Sequence, residues 1–237
     1  MRHFLHICLL ALVLCCQIVP ADAADATLPQ VIATLEQGYA ILQDLQADFN
    51  QTTTLAGFPK PQKGHGSLEL RRPKQGIAQF RFDYKSPRQS IISNGRQVWF
   101  YQPENNQVLV SSLEGMLQGG NSLGMAYLTG LGNVAKDFTA AFAKPSRDKQ
   151  GNYLLDLVPR KQTAALSRLR LTIRVTAVEA FLAEGAAKEP FPILSSAVHD
   201  ASGTESRITY SRLRTNSGLS AARFSFKVPQ GVTTIQP

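Results

Sequence analysis

Gly66-Ser67-Leu68-Glu69-Leu70-Arg71-Arg72-Pro73, followed by Phe80-Arg81-Phe82-Asp83-Tyr84, is the stretch that decides the fold. Apolar and polar side chains alternate one for one in both runs. A period of two puts Leu68 and Leu70 on one side of a strand and Ser67, Glu69 and Arg71 on the other. Pro73 ends the first strand, because it has no N–H to give to a ladder. The second run puts three aromatic rings on one side. Ile91-Ile92 then runs into Asn94-Gly95, a dipeptide suited to a tight hairpin turn, and Val98 to Tyr101 comes next.

The same rhythm continues beyond this hairpin series. Pro103 to Asn106 forms a turn before Val108 to Val110. Tyr153, Leu155 and Leu157 alternate with polar or outward neighbours. Leu169, Leu171, Ile173 and Val175 alternate with Arg168, Arg170, Thr172 and Arg174. Strands are also expected over 193–198, 208–213 and 223–228. Short strands separated by turn residues indicate an antiparallel sheet that curls into a barrel or a sandwich.

Four segments depart from this rhythm. Over 28–47 the apolar residues Ile32, Leu35, Tyr39, Leu42 and Leu45 recur every three or four positions, with Phe49 just beyond. That stripe predicts an amphipathic helix, and Pro29 sits near its start, where a missing N–H costs least. The stretch 115–132 is rich in Gly and polar residues yet holds Met116, Leu117, Leu123, Met125, Tyr127, Leu128 and Leu131. The stretch 133–143 reads as a helix with Val134, Phe138 and Phe142 on one side. Residues 176–188 read as a helix or an expanded loop.

Composition narrows the class. Of 237 residues 43% are hydrophobic and 18% charged, which excludes a disordered chain; 17 Gly and 13 Pro exclude a collagen-like one. Met1 to Ala23 has Arg2 at its start, an apolar run from Phe4 to Val19, and Ala21-Asp22-Ala23 at its end. These are the parts of a cleavable secretory signal, so residues 24–237 are expected to form one domain outside the cytoplasm. All three cysteines, Cys8, Cys15 and Cys16, lie in that leader, so the remaining chain has no disulfide or thiol chemistry. The net charge of +8 admits acidic proteins or anionic membrane surfaces as partners. An extracytoplasmic location argues against nucleic acid.

No catalytic pattern appears. His65 and His199 are the only histidines after the leader, and neither belongs to a metal-ligand spacing. There is no Gly-x-Ser-x-Gly elbow and no phosphate-binding loop. Asp83, Asp156 and Glu69 sit on expected strands, with nothing in the sequence to pair them. A half-apolar sheet could cover a packed core or curl around an apolar cavity, and periodicity does not separate the two.

Several segments together carry a resemblance. They are Phe49-Asn50-Gln51, the stretch from Gly66 to Tyr84, Pro87 and Gln89, and Asn94-Gly95 with Val98-Trp99-Phe100-Tyr101-Gln102-Pro103. After these come Gln107-Val108, Asn121-Ser122-Leu123, Tyr127-Leu128-Thr129-Gly130, Lys136-Asp137-Phe138, and the tail from Phe224 to Val232. In this order the pattern resembles the periplasmic lipoprotein carrier family, LolA.

The resemblance implies a mainly β fold with some α: an incomplete, unclosed antiparallel β-barrel with helices forming a lid over a hydrophobic cavity. It implies a monomeric periplasmic carrier without catalytic turnover, cofactor or metal. Such a carrier accepts acylated lipoproteins from an inner-membrane ATP-driven exporter, shields their acyl chains and delivers them to an outer-membrane receptor. Arg72 matches a family arginine that bonds the lid and holds the free protein closed. Phe80 matches a cavity phenylalanine. With it, Phe82, Tyr84, Leu68, Leu70, Ile91, Trp99, Tyr101 and Phe226 are candidates for the acyl-chain cavity. Met116, Leu117, Leu123, Met125, Tyr127 and Leu128 are candidates for the lid. A lipid- or lipoprotein-sensing module of the same fold is the alternative reading, and a periplasmic hydrolase the remote one. The 73–80 loop and the 176–193 segment are longer than the family pattern.

Overall fold

The computed structural model describes residues 25–74, 77–118, 134–161 and 166–236, with only the backbone described for 116–118. The expected leader lies outside these residues. Helix α1 (Leu28–Ile41) comes first, and six strands succeed it: β1 (Asp44–Thr54), β2 (Gln62–Arg71), β3 (Gln79–Ser86), β4 (Arg88–Ser93), β5 (Gln97–Gln102) and β6 (Gln107–Ser112). Helix α2 (Leu113–Gln118) and the short α3 (Val134–Asp137) flank the undescribed 119–133. Then come β7 (Phe138–Arg147), β8 (Tyr153–Pro159), β9 (Arg168–Ile173), α4 (Val175–Glu184), β10 (Ile193–His199) and β11 (Glu205–Thr215). A 3-10 turn (Ala221–Phe224) and β12 (Thr233–Ile235) close the chain.

Among the described residues the strands form one 12-stranded sheet in the order β12-β6-β5-β4-β3-β2-β1-β11-β10-β9-β8-β7. Neighbours are antiparallel except β12, which lies parallel to β6. β7 and β12 stand at opposite ends of that order, so the sheet is open, as the family resemblance implies.

Register aligns the alternating residues across strands. Leu45 pairs with Leu70, which pairs with Phe80; Ala47 pairs with Leu68, which pairs with Phe82, which pairs with Ile91. These residues share one face, the inner face. Leu45, Leu68, Leu70, Phe80 and Phe82 form, with Val31, Leu35 and Tyr39 of α1, a single buried cluster that extends to Leu155, Leu157, Leu169 and Leu171 on β8 and β9, and Ile91 packs against it. Two glycines permit close approach. A Cβ on Gly66 would lie 2.0 Å from the Asp83 carbonyl, and one on Gly38 would lie 2.6 Å from the Glu189 carbonyl beside α1.

Three expected elements are corrected. The first helix stops at Ile41, and Leu45 and Phe49 belong to β1. Residues four apart share a side in a helix and in a strand alike, so Leu45 and Phe49 fit both periods. The run Thr52-Thr53-Thr54, stiff at χ1, favours the strand. Residues 133–143 fail as a helix in the same way. After α3 the chain is strand β7, in which Phe138 is buried, Thr139 and Ala141 are exposed, and Phe142 is half-buried. Finally, 223–228 is not a strand. Phe224, Phe226 and Val228 are buried or half-buried and Arg223, Ser225 and Lys227 exposed, because the segment lies across the outer sheet face rather than within a ladder. The 176–188 segment resolves as α4, capped by Gly185 with φ of 72°.

Candidate functional site

The inner face of β1–β3 carries a cluster of aromatic rings. Phe49 meets Phe82 edge-on at 5.6 Å between centroids and Tyr84 at 4.8 Å; Phe80 meets Phe82 at 6.4 Å. Phe80 and Phe82 are 2% and 1% exposed, and Leu68 and Leu70 are fully buried. Ile91 packs against the same cluster, half-buried. Six expected cavity residues (Leu68, Leu70, Phe80, Phe82, Tyr84, Ile91) are therefore brought together. They form one apolar face whose side chains are buried or half-buried. Polar groups appear toward the far end of this face, where Tyr84 donates to Gln51 Oε1 at 2.6 Å. Burial, with a smaller push from Tyr210, raises the Tyr84 hydroxyl to about 12, so it stays protonated.

Trp99, Tyr101 and Phe226 are not part of this face. They belong to a second cluster on the outer face with Ile92, Val108 and Val110. Phe226 lies 6.2 Å from Trp99 and 5.3 Å from Tyr101, ring centre to ring centre. The cause is register: Ile92 pairs with Trp99, and Trp99 with Val110, on the side opposite Ile91. Of the lid candidates, Leu123, Met125, Tyr127 and Leu128 lie outside the described residues. Met116 and Leu117 are on α2, where only the backbone is described.

Arg72 stands just past the end of β2 and reaches the C-terminal end of α1. Its Nη1 donates to the carbonyls of Tyr39 and Leu42, the latter at 3.2 Å. Its guanidinium also lies over the Tyr39 ring, 4.4 Å from the centroid. A helix leaves its last carbonyls without intrahelical partners and carries partial negative charge there. A guanidinium answers both needs with one planar group. Its own backbone N–H donates to Gln43 O at 2.7 Å, which fixes the strand end to the helix end. Burial raises the Tyr39 hydroxyl above its ordinary range, against the pull of Arg72, so that ring is neutral as well.

Two further residues complete this junction, and the sequence reading missed both. Asn216, in the left-handed region with φ of 56°, donates through Nδ2 to Ile41 O at 3.1 Å and accepts from Gln43 N at 2.7 Å. The Asp44 carboxylate accepts from the Ser217, Gly218 and Leu219 amides at 2.8, 2.8 and 3.2 Å, and from the Ser217 hydroxyl at 3.0 Å. Burial opposes its ionisation, but these bonds outweigh burial and hold the carboxyl below the usual carboxylate range. Phe49 was also missed as an inner-face residue. The alternation Leu45-Ala47-Phe49 was the available signal, hidden by its equal fit to a helix.

From this junction the chain runs as a strap over the outer face. Arg223 donates to the Glu69 carboxylate, with Nε 2.9 Å from Oε2. Phe226 covers Trp99 and Tyr101, Asn106 Nδ2 donates to Gly231 O at 2.8 Å, and β12 adds to the β6 edge. A groove of about 620 Å³ also opens on the outer face. Its walls include Gln46, Asp48, Ser67, Glu69, Arg212 and Arg214. This mixed polar lining is unlike the apolar inner face.

Residues 41–183 match the family model described as outer membrane lipoprotein carrier protein LolA. Two similar proteins carry the name outer-membrane lipoprotein carrier protein. One, from Leptothrix cholodnii, is 30% identical over 196 residues, 82% of this chain and 80% of that protein. The other, from Methylibium petroleiphilum, is 30% identical over 219 residues, 90% of this chain and 93% of that protein. A solved LolA superfamily protein from Nitrosomonas europaea is 13% identical, with a TM-score of 0.41, over 85% of this chain and 99% of that one. The matched span takes in β1 to β9, with the aromatic inner face and Arg72 inside it, and the chain belongs to the LolA family.

Proposed function

We propose that this protein is a periplasmic carrier of acylated lipoproteins and that the inner face of β1–β4 is where their acyl chains are buried. The observation that carries the reading is a continuous apolar face built of Phe49, Leu68, Leu70, Phe80, Phe82 and Ile91, covered by a helix that Arg72 holds at one end. The names of the similar proteins support the cargo class. An acyl chain in water costs about 0.8 kcal/mol per methylene, so a free acylated protein cannot cross an aqueous compartment at useful concentration. A carrier must cover those chains and later give them up. Aromatic and aliphatic contacts meet both demands, since they are non-directional and set no fixed hydrogen-bond pattern that cargo must satisfy.

Because these side chains are buried, their cover must move to admit cargo. Arg72 bonds α1 near its C-terminal end, so drawing that end back breaks its two hydrogen bonds and ring contact, with the Asn216–Ile41 bond beside them, while the sheet ladder stays intact. In this reading Arg72 is the latch, Leu68, Leu70, Phe80, Phe82, Tyr84 and Ile91 line the opened site, and the 116–128 segment belongs to the lid. The chain would load from an inner-membrane ATP-driven exporter and unload at an outer-membrane receptor, acting as a monomer formed by residues 24–237 after removal of the leader. It carries out no bond chemistry of its own.

The test is a holding assay. Purified protein is mixed with an acylated lipoprotein and, separately, with the same lipoprotein lacking its acyl chains. Detergent is then removed, and soluble complex is measured. The acylated form is expected to stay in solution as a one-to-one complex and the unacylated form to show no complex. Equal behaviour of the two forms would contradict the reading.

A further inference from the structure

The end of the sheet opposite Arg72 carries a row of cations, some paired and some not. Register draws it. Lys63 pairs across with Thr52, Thr52 with Arg207, Arg207 with Ala197, and Ala197 with Arg170, so Lys63, Arg207 and Arg170 share the outer face. Lys85 and Arg88 face each other on the next hairpin, beside the strand that carries Lys63. Lys60 stands on the β1–β2 loop.

Most acidic groups of this region are already engaged, the exposed Glu104 on the turn beside β4 being the exception among the described residues. Asp156 is paired with Arg170 at 2.7 Å, Glu205 with Arg207 at 2.8 Å, and Asp83 with Arg81 at 2.6 Å. Asp200 spends its Oδ1 on Ser202 N, Ser202 Oγ and Thr204 N. Lys60, Lys63, Lys85 and Arg88 are all exposed, and none forms an ion pair among the described residues.

An aromatic side chain stands in the same place. Phe58, on the loop between β1 and β2, is 65% exposed, the largest value among the exposed large hydrophobics described. The loop is a fixed turn, not a loose one. Phe58 N donates to Leu55 O at 3.1 Å, Gly57 has φ of 80°, and Pro59 and Pro61 restrict the backbone on the way to β2. The loop also lies against the 200–204 turn, since a Cβ on Gly203 would meet the Ala56 Cβ at 3.6 Å.

We infer that this end of the molecule docks on an anionic lipid surface, with Phe58 entering the headgroup region and Lys60, Lys63, Lys85 and Arg88 facing lipid phosphates. An apolar tip set among cations is what interfacial binding uses, because apolar insertion and attraction to anionic headgroups add. The choice of a lipid surface over an acidic protein rests on composition. Three of the four free cations are lysines, which protein–protein interfaces deplete, whereas a charged bilayer attracts lysine and arginine alike. The inference is independent of the cargo reading, because it concerns a surface far along the strands from Arg72 and is tested without cargo.

The test is co-sedimentation of the cargo-free protein with vesicles. One set is phosphatidylcholine alone; the other is phosphatidylcholine with phosphatidylglycerol; both are run at low and at physiological salt. Binding is expected to the anionic set only and to weaken with salt. Replacing Lys60, Lys63 and Lys85 together by serine is expected to lower the partition coefficient about a hundredfold, at about fivefold per cation. Phe58→Ser alone is expected to lower it severalfold while leaving the salt dependence in place. These positions are exposed, so unchanged thermal midpoints check that the variants fold. Sedimentation no greater with anionic than with neutral vesicles, or a triple variant that binds like the parent, would overturn the inference.

Discussion

At the scale of single residues, Arg72 joins the sheet to its cover. It bonds the carbonyls of Tyr39 and Leu42 at the C-terminal end of α1 and stacks on the last aromatic ring of that helix. Arg72→Leu removes both bonds and leaves the helix end held by Asn216, which still donates to Ile41 O. The expected cost is about 3 kcal/mol in urea unfolding, since hydrogen bonds from a charged donor contribute about 1.5–3 kcal/mol each and this group is only part-buried. Arg72→Lys is expected to restore less than half of that loss, because an ammonium lacks the planar fork. If Arg72→Leu unfolds at the parent's midpoint, the latch assignment fails. Arg72 was legible in the sequence through its place before Pro73 and the family resemblance. Asp44 and Asn216 were not legible. Each makes its bonds to residues some 170 positions away, and no local pattern announces such a partner.

At the scale of elements, alternation succeeded wherever a strand had one wet face and one dry face. β2, β3, β8 and β9 are of that kind. It failed where a four-residue spacing served two periods, as in β1 and β7, and where a period of two came from lying on a sheet, as in the strap. The strap is held at its root by the Asp44 carboxylate, whose folded value is lowered. A carboxylate lowered on folding adds stability above its unfolded value, near 3.9, and that stability is lost as pH falls through the folded value. Acid is therefore expected to release the root of the strap. Hydrogen exchange at the Ser217, Gly218 and Leu219 amides should accelerate below about pH 4 relative to amides of the β1–β2 ladder. In Asp44→Asn that added acid response should vanish. The same acid response in the variant would place the titrating group elsewhere.

At the scale of the whole molecule, one open sheet separates two apolar clusters with different roles. The outer cluster, Ile92, Trp99 and Val108 with Phe226, is sealed by the chain's own C-terminal segment. The inner cluster, with Phe49, Phe80 and Phe82, is covered by α1, an element fastened at its C-terminal end by side-chain bonds rather than by a ladder. The sequence alone grouped both sets as one lining, because an apolar residue on a strand declares a dry side without declaring which side of the sheet it is. Cargo is assigned to the inner cluster. The most direct test loads the protein with a lipoprotein whose acyl chain bears a diazirine, irradiates the complex and maps the labelled residues by mass spectrometry. Label on Phe49, Leu68, Phe80 or Phe82 is the predicted result. Label confined to Trp99, Tyr101 and Phe226 would contradict the assignment.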